Sequence, residues 1–269
     1  GQSVSSTFNN KNVGTGKTVT VNSITLSDGS NGGLASNYTI SAGQTTTANI
    51  TGKSLTVSGI TAPNKTYDGN TNAPLDISNI SYSGLVSGDD IGGAFSGAFD
   101  NKNIGTSKTV SISSSYSGVD SGNYTVTDQS STTANITART LTVSGLTASN
   151  KTYDATTSAT LDTSNISYAG LVSGDSFSGS YTGTFNNANV GTSKLVTISS
   201  SYSGDDINNY SITDQSSTGA DITKASPTIS GLSAQSKYSD ESYTLAGIPS
   251  ISGLSLSLIH ISEPTRRPI

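Results

Sequence analysis

Apolar residues in this chain fall singly and in alternation, almost never at the three-and-four spacing of a helix. In LTVSGI, Leu55 and Val57 share one face of an extended segment, and Thr56 and Ser58 share the other. KTVSISSSYSG repeats the pattern with Val110 and Ile112, and NYTVTDQ with Tyr124 and Val126. Turn clusters such as DG, SGDD and NIGTS interrupt these runs roughly every ten residues, the spacing of a β-sandwich or barrel. The pattern predicts short strands and tight turns throughout and no helix of consequence.

The strand pattern is itself repeated. Leu55–Thr140 aligns with Leu141–Ser226 without a gap, and 56 of 86 positions are identical. LTVSGITAPNKTYDGNT answers LTVSGLTASNKTYDATT, and NIGTSKTVSISSSYSG answers NVGTSKLVTISSSYSG. Residues 1–53 read as the C-terminal part of another copy, with a five-residue insertion around Ser27–Gly33 that suits a hairpin tip. The expected organisation is therefore a part-copy over 1–53 and full copies over 54–139 and 140–225. A divergent repeat, cut short, covers 226–255, and a tail covers 256–269. A module of this length with about seven short strands predicts an all-β fold of tandem immunoglobulin-like β-sandwich modules in an elongated array. A β-solenoid is the alternative, although its rungs would repeat every 20–30 residues or so and no such sub-period is present.

Composition restricts what such modules can do. Charged residues make up 12%, the net charge is −5, and there is no Cys, Met or Trp. Without cysteine there is neither a disulfide framework nor a thiolate metal site. The acidic balance argues against nucleic acid, because phosphate neutralisation needs clustered Lys and Arg. No apolar stretch approaches the roughly 20 residues that span a bilayer, so no membrane insertion is expected. Twelve Tyr and five Phe, mostly at fixed offsets, supply the apolar surface that separates this chain from a disordered one.

The motif KTYDGNT gathers several of these signals. Lys65 and Thr66 extend a strand, Tyr67 is the core anchor, and Asp68-Gly69 makes the turn, glycine accepting the positive φ. The second copy has Lys151, Thr152, Tyr153 and Asp154, but Ala155 in place of glycine, which predicts a weaker positive-φ requirement or another turn type. The motif, the repeat length and the GTSK and NYT blocks resemble the YDG-type repeats of large bacterial adhesins of the filamentous-haemagglutinin-like group. The sequence SKYSDESYTLAGIPSISGL is similar to the mostly-β, glycine-rich repeats that adjoin them. The resemblance implies two-partner secretion to the surface or outer membrane of a Gram-negative bacterium, and a stalk role with no catalytic motif.

The tail LSLIHISEPTRRPI holds the only His, one of two Glu and two of three Arg, and LSLIHISEPTR resembles a translated sequencing adapter. It is set aside as non-native. What remains has 11 basic and 17 acidic residues and no His, so Ser-His-Asp chemistry and His-ligated metal are excluded there. The acids Asp68, Asp76, Asp89, Asp90, Asp120 and Asp128 sit where turn-forming Asp is expected. No cofactor is expected. Structural calcium at Asp89-Asp90 or Asp205-Asp206 is the competing expectation, weakened because neither adjacent pair is kept in register between copies. Nine Asn-x-Ser/Thr sequons, Asn64, Asn79, Asn123 and Asn150 among them, and a Lys–Asn bond at Lys65 or Lys108 are further candidates for covalent modification.

These readings predict a non-enzymatic structural spacer whose partners are the neighbouring repeats, with host glycan or surface protein engaged through other domains. A repeat module that itself binds glycan or host protein is the alternative, and it requires exposed aromatics clustered on one face of every copy. An accessory region of a polysaccharide-active enzyme is a more distant one.

Overall fold

The computed structural model describes residues 1–230 together with 233–234, 245–246 and 250–252. The expected divergent repeat over 226–255 falls largely outside the described residues, and the tail over 256–269 entirely so. The chain divides into two compact units, Gly1–Thr137 and Ala138–Ile269. The all-β expectation is borne out. Among the described residues only three single 3-10 turns, at Ala35–Asn37, Ser121–Asn123 and Ile207–Asn209, are helical.

In the first unit the part-copy contributes β1 (Gln2–Phe8), β2 (Gly14–Leu26) and β3 (Thr45–Ile50), joined as one antiparallel sheet in the order β1-β2-β3. The first full copy contributes β4 (Lys53–Ser58), β5 (Lys65–Thr66), β6 (Asn72–Ala73) and β7 (Ser81–Ser83). It continues with β8 (Gly92–Phe99), β9 (Gly105–Ser117), β10 (Tyr124–Thr127) and β11 (Ser131–Thr137). These form two sheets, β10-β4-β7 and β5-β11-β9-β8-β6. Two pairings are parallel: β4 with β10, and β5 with β11. A parallel pair cannot be closed by a hairpin and needs a long crossover, so each sheet joins the beginning of the repeat to its end. Such a module closes on itself, unlike the continuous rungs of the solenoid alternative.

The second unit repeats the plan. Its strands are β12 (Arg139–Ser144), β13 (Thr147–Ala148), β14 (Lys151–Thr152), β15 (Ser158–Ala159) and β16 (Leu161–Asp162). Then come β17 (Ser167–Ala169), β18 (Ser178–Phe185), β19 (Gly191–Ser203), β20 (Tyr210–Thr213) and β21 (Ser217–Thr223). The sheets are β17-β12-β20 and β14-β21-β19-β18-β15, with β13 and β16 as a separate pair. Val143 and Leu146 pack on Ile198 of the larger sheet, with Tyr168, Tyr181, Tyr202 and Ile212 around them, which makes the layers of a sandwich. A second cluster gathers Phe185, Val196, Ala220 and Ile222.

The alternation read from the sequence sets which residues enter these cores. Leu55 and Val57 are buried while Thr56 and Ser58 are exposed, and Leu141 and Val143 repeat this one copy later. Each such side chain contributes roughly 1.5–3 kcal/mol. Gly59 and Gly145 show why glycine follows these strands. At φ +86° and +88°, a Cβ would stand 2.2 Å and 2.1 Å from the carbonyl oxygens of Asn79 and Asn165.

Candidate functional site

The Tyr-Asp turn is held by its lysine. In the first full copy the Lys65 ammonium, at the end of a side chain only 10% exposed, donates to Asp68 Oδ1 at 2.8 Å. It also donates to the carbonyls of Asn70 and Asn72, both at 2.9 Å, and to Asn70 Oδ1 at 3.1 Å. One cation thus satisfies several acceptors between β5 and the start of β6. It also lies 5.5 Å from the Phe99 ring centroid. Thr66 is an exposed strand residue. Tyr67 is fully buried, its N–H donating to the Thr137 carbonyl, as a core anchor should be. Gly69 takes φ +81°.

The second copy builds the same turn. Lys151 Nζ reaches Asp154 Oδ1 at 2.8 Å, the Thr156 carbonyl at 2.8 Å and the Ser158 carbonyl at 3.0 Å. Thr152 is exposed, like Thr66, and Tyr153 is half-buried. Here one expectation is corrected. Ala155 adopts φ +64°, so the positive-φ requirement is kept and alanine is held in left-handed backbone. The hydrogen bonds of Lys151 and of Asp154, which also accepts the Thr156 N–H at 2.9 Å, impose the conformation. Hydrogen bonds from Lys151, then from the Thr156 N–H and hydroxyl, lower the Asp154 carboxyl to about 2. Burial opposes ionisation at Asp68, but Lys65 and the Asn70 N–H outweigh it and hold that carboxyl below its ordinary value.

A second constellation joins the part-copy to the first full copy. Lys11, in the loop after β1, reaches Asp89 Oδ1 at 2.8 Å and Asp120 Oδ1 at 2.7 Å. Val13 N–H donates to Asn123 Oδ1 at 2.9 Å, and Asn123 Nδ2 donates to Asn12 Oδ1 at 3.3 Å. The Asp120 and Asp89 hydrogen bonds push the lysine ammonium well above its ordinary value. Lys11 is in turn the leading cause holding both carboxyls low. Asp89 works with Asp120 across two loops, and among the described residues no three acidic, His or Cys side chains converge.

Gln129 makes a third recurring device. Its Oε1 accepts the Ile60 N–H at 2.9 Å and its Nε2 donates to the Ile60 carbonyl at 2.7 Å. Gln215 does the same to Leu146. Sequon asparagines are also structural. Asn64 Oδ1 accepts the Asn135 N–H and Asn150 Oδ1 the Asp221 N–H. Lys108 Nζ stands 2.8 Å from Asn101 Oδ1 and 2.9 Å from Asp100, the grouping a Lys–Asn bond would need. The hydrogen bond from Lys108 holds the Asp100 carboxyl below the ordinary carboxylate range.

A family model described as the YDG domain matches three times, over residues 2–48, 51–134 and 137–219. The chain belongs to the YDG domain family. The three matches fall on the part-copy and the two full copies, so the lysine-stitched turn, the glutamine clamp and the strand order are features of two successive YDG repeats. No curated protein and no solved structure matches the chain. Among the described residues no helix is long and apolar enough to cross a membrane, which says nothing of strand barrels.

Proposed function

We propose that these YDG repeats are non-enzymatic spacer units of a large bacterial adhesin, exported to the cell surface or outer membrane of a Gram-negative organism. There they separate an adhesive domain from the cell. The observation that carries this reading is the fate of the aromatics. Every Tyr and Phe in the two full repeats is buried or half-buried. They pack on one another, as in the Phe177–Tyr202 stack at 5.3 Å and the Tyr168–Phe177 contact at 5.0 Å. Their hydroxyls are engaged as well: Tyr116 donates to Asp128, and Tyr202 to Asp214. A glycan platform needs such rings facing solvent.

The second reading, a repeat that binds glycan or host protein, is favoured by one feature. An open apolar groove of about 600 Å³ runs beside Pro74, Leu75, Ile77 and Phe95 in the first full repeat. A binding screen of the chain against glycans and matrix proteins separates the two. The spacer reading expects no saturable binding, and saturable binding lost on Phe95→Ala would replace it with the second.

A further inference from the structure

The seam between the part-copy and the first full repeat is incompletely packed. A cleft of about 240 Å³ remains there, lined by Lys11, Val13, Ile50, Lys53, Asp89 and Tyr124. Polar bonds cross it, from the Lys11 ammonium to Asp89 and Asp120 and from the Val13 N–H to Asn123. The receiving side is braced by bonds within its own repeat. Val86 N–H donates to the Tyr124 hydroxyl at 3.0 Å, which donates to Asp89 Oδ2 at 2.6 Å. Asp90 N–H donates to Asp120 Oδ2 at 3.0 Å. Each carboxylate thus keeps one oxygen tied to its own repeat and turns the other toward Lys11. The second full repeat constructs the same face. Val172 N–H bonds the Tyr210 hydroxyl at 2.9 Å, that hydroxyl bonds Asp175 at 2.5 Å, and Ser176 N–H bonds Asp206 at 2.9 Å.

The donating loop is less uniform in sequence. It reads Lys11-Asn12-Val13 in the part-copy, Lys102-Asn103-Ile104 in the first full repeat and Ala188-Asn189-Val190 in the second. Lysine stands in the two copies that another YDG repeat follows, and alanine in the one that divergent sequence follows.

We propose that Asp89, Asp120, Asn123 and Tyr124 form a recognition face by which a YDG repeat receives the Lys-Asn-Val loop of the YDG repeat before it. The lysine of that loop decides whether the two dock. Two residues, Thr51 and Gly52, separate β3 from β4, so the loop is presented at high local concentration and a modest polar clasp suffices. The inference goes beyond the spacer reading and holds whatever the repeats carry at their far end.

Lys102 also stands 5.9 Å from the Tyr67 ring centroid, so the test is placed on Lys11. The full chain carrying K11A, which installs the residue found at 188, is compared with K11R and wild type by amide hydrogen exchange at Val13. The expected result is a loss of Val13 protection of about tenfold or more in K11A, with K11R close to wild type and the Val57 and Val143 amides unchanged. In 1 M salt, wild-type protection at Val13 should fall toward that of K11A. Val13 protection unaltered by K11A would overturn the proposal, as would a loss that extends equally to Val57, which would mark general destabilisation.

Discussion

At the Tyr-Asp turn the first full repeat has Gly69 and the second has Ala155, yet both occupy left-handed backbone, at φ +81° and +64°. Both turns have a lysine ammonium on Asp Oδ1 and on two carbonyls beyond it. The comparison shows that the ion-dipole set of Lys65 or Lys151 determines the turn, while the residue at the positive-φ position only sets its strain. The anchors differ in the opposite sense. Tyr67 is fully buried beneath Lys102, whereas Tyr153 is half-buried where the corresponding residue is Ala188. The Lys102 side chain, whose methylene stem can cover a ring, is one difference between the two sites.

The largest effect expected from breaking this comparison is at the anchors. Tyr67→Ala should cost about 3–5 kcal/mol in the first full repeat. Tyr153→Ala should cost the second about 1–3 kcal/mol, because less ring surface leaves water there. Peptide-resolved hydrogen exchange of the full chain would measure both, and equal losses would remove the asymmetry. Next come the lysines. Lys65→Met and Lys151→Met keep the stem and delete the donor. Each should cost about 1–2 kcal/mol, since the loop carbonyls regain only part of their bonding from water.

A smaller change tests strain alone. Ala155→Gly should stabilise the second repeat by about 0.5–1 kcal/mol, and Gly69→Ala should destabilise the first by a similar amount, once the extra freedom of glycine in the unfolded chain is counted. Urea unfolding followed by far-ultraviolet circular dichroism should resolve the pair of opposite shifts.

The smallest effect is acid sensitivity. Asp68 and Asp154 both have folded carboxyl values below the unfolded one, the latter at about 2. Their contribution is therefore fully present above about pH 4 and lost as pH falls toward 2. Exchange protection around Thr156 should decline over that window, and Asp154→Asn should abolish the dependence. A decline centred near neutrality would contradict the assignment.

Much of the fold was legible because it rests on short-range regularities. Alternation placed Leu55 and Val57 inside, and the repeated motif marked Tyr67 as an anchor, which is buried. Less of the candidate site was legible. Lys65 reads as a strand residue, and only the folded loop brings Asn70 and Asn72 to its ammonium. Gln129 grips the backbone of Ile60 from 69 residues away, and Lys11 finds Asp89 from 78. No periodicity encodes bonds of that reach. A signal did exist for one of them. Asp89 with Asp175 and Asp120 with Asp206 are among the acids kept between copies, whereas the adjacent pairs Asp89-Asp90 and Asp205-Asp206 are not.

The parallel pairing of β4 with β10 has a mechanical consequence. Near its start the first full repeat is bonded through Lys53–Thr56, and toward its end through Tyr124–Thr127, running in the same direction. Tension pulling these two strands toward opposite ends of the repeat acts along them, so the inter-strand bonds are loaded together in shear, not opened one by one like a zipper. The same holds for Lys65–Thr66 against Ile136–Thr137 in the other sheet. Rupture then requires several bonds to fail at once, and a repeat poor in apolar residues gains resistance to stretching from its connectivity alone.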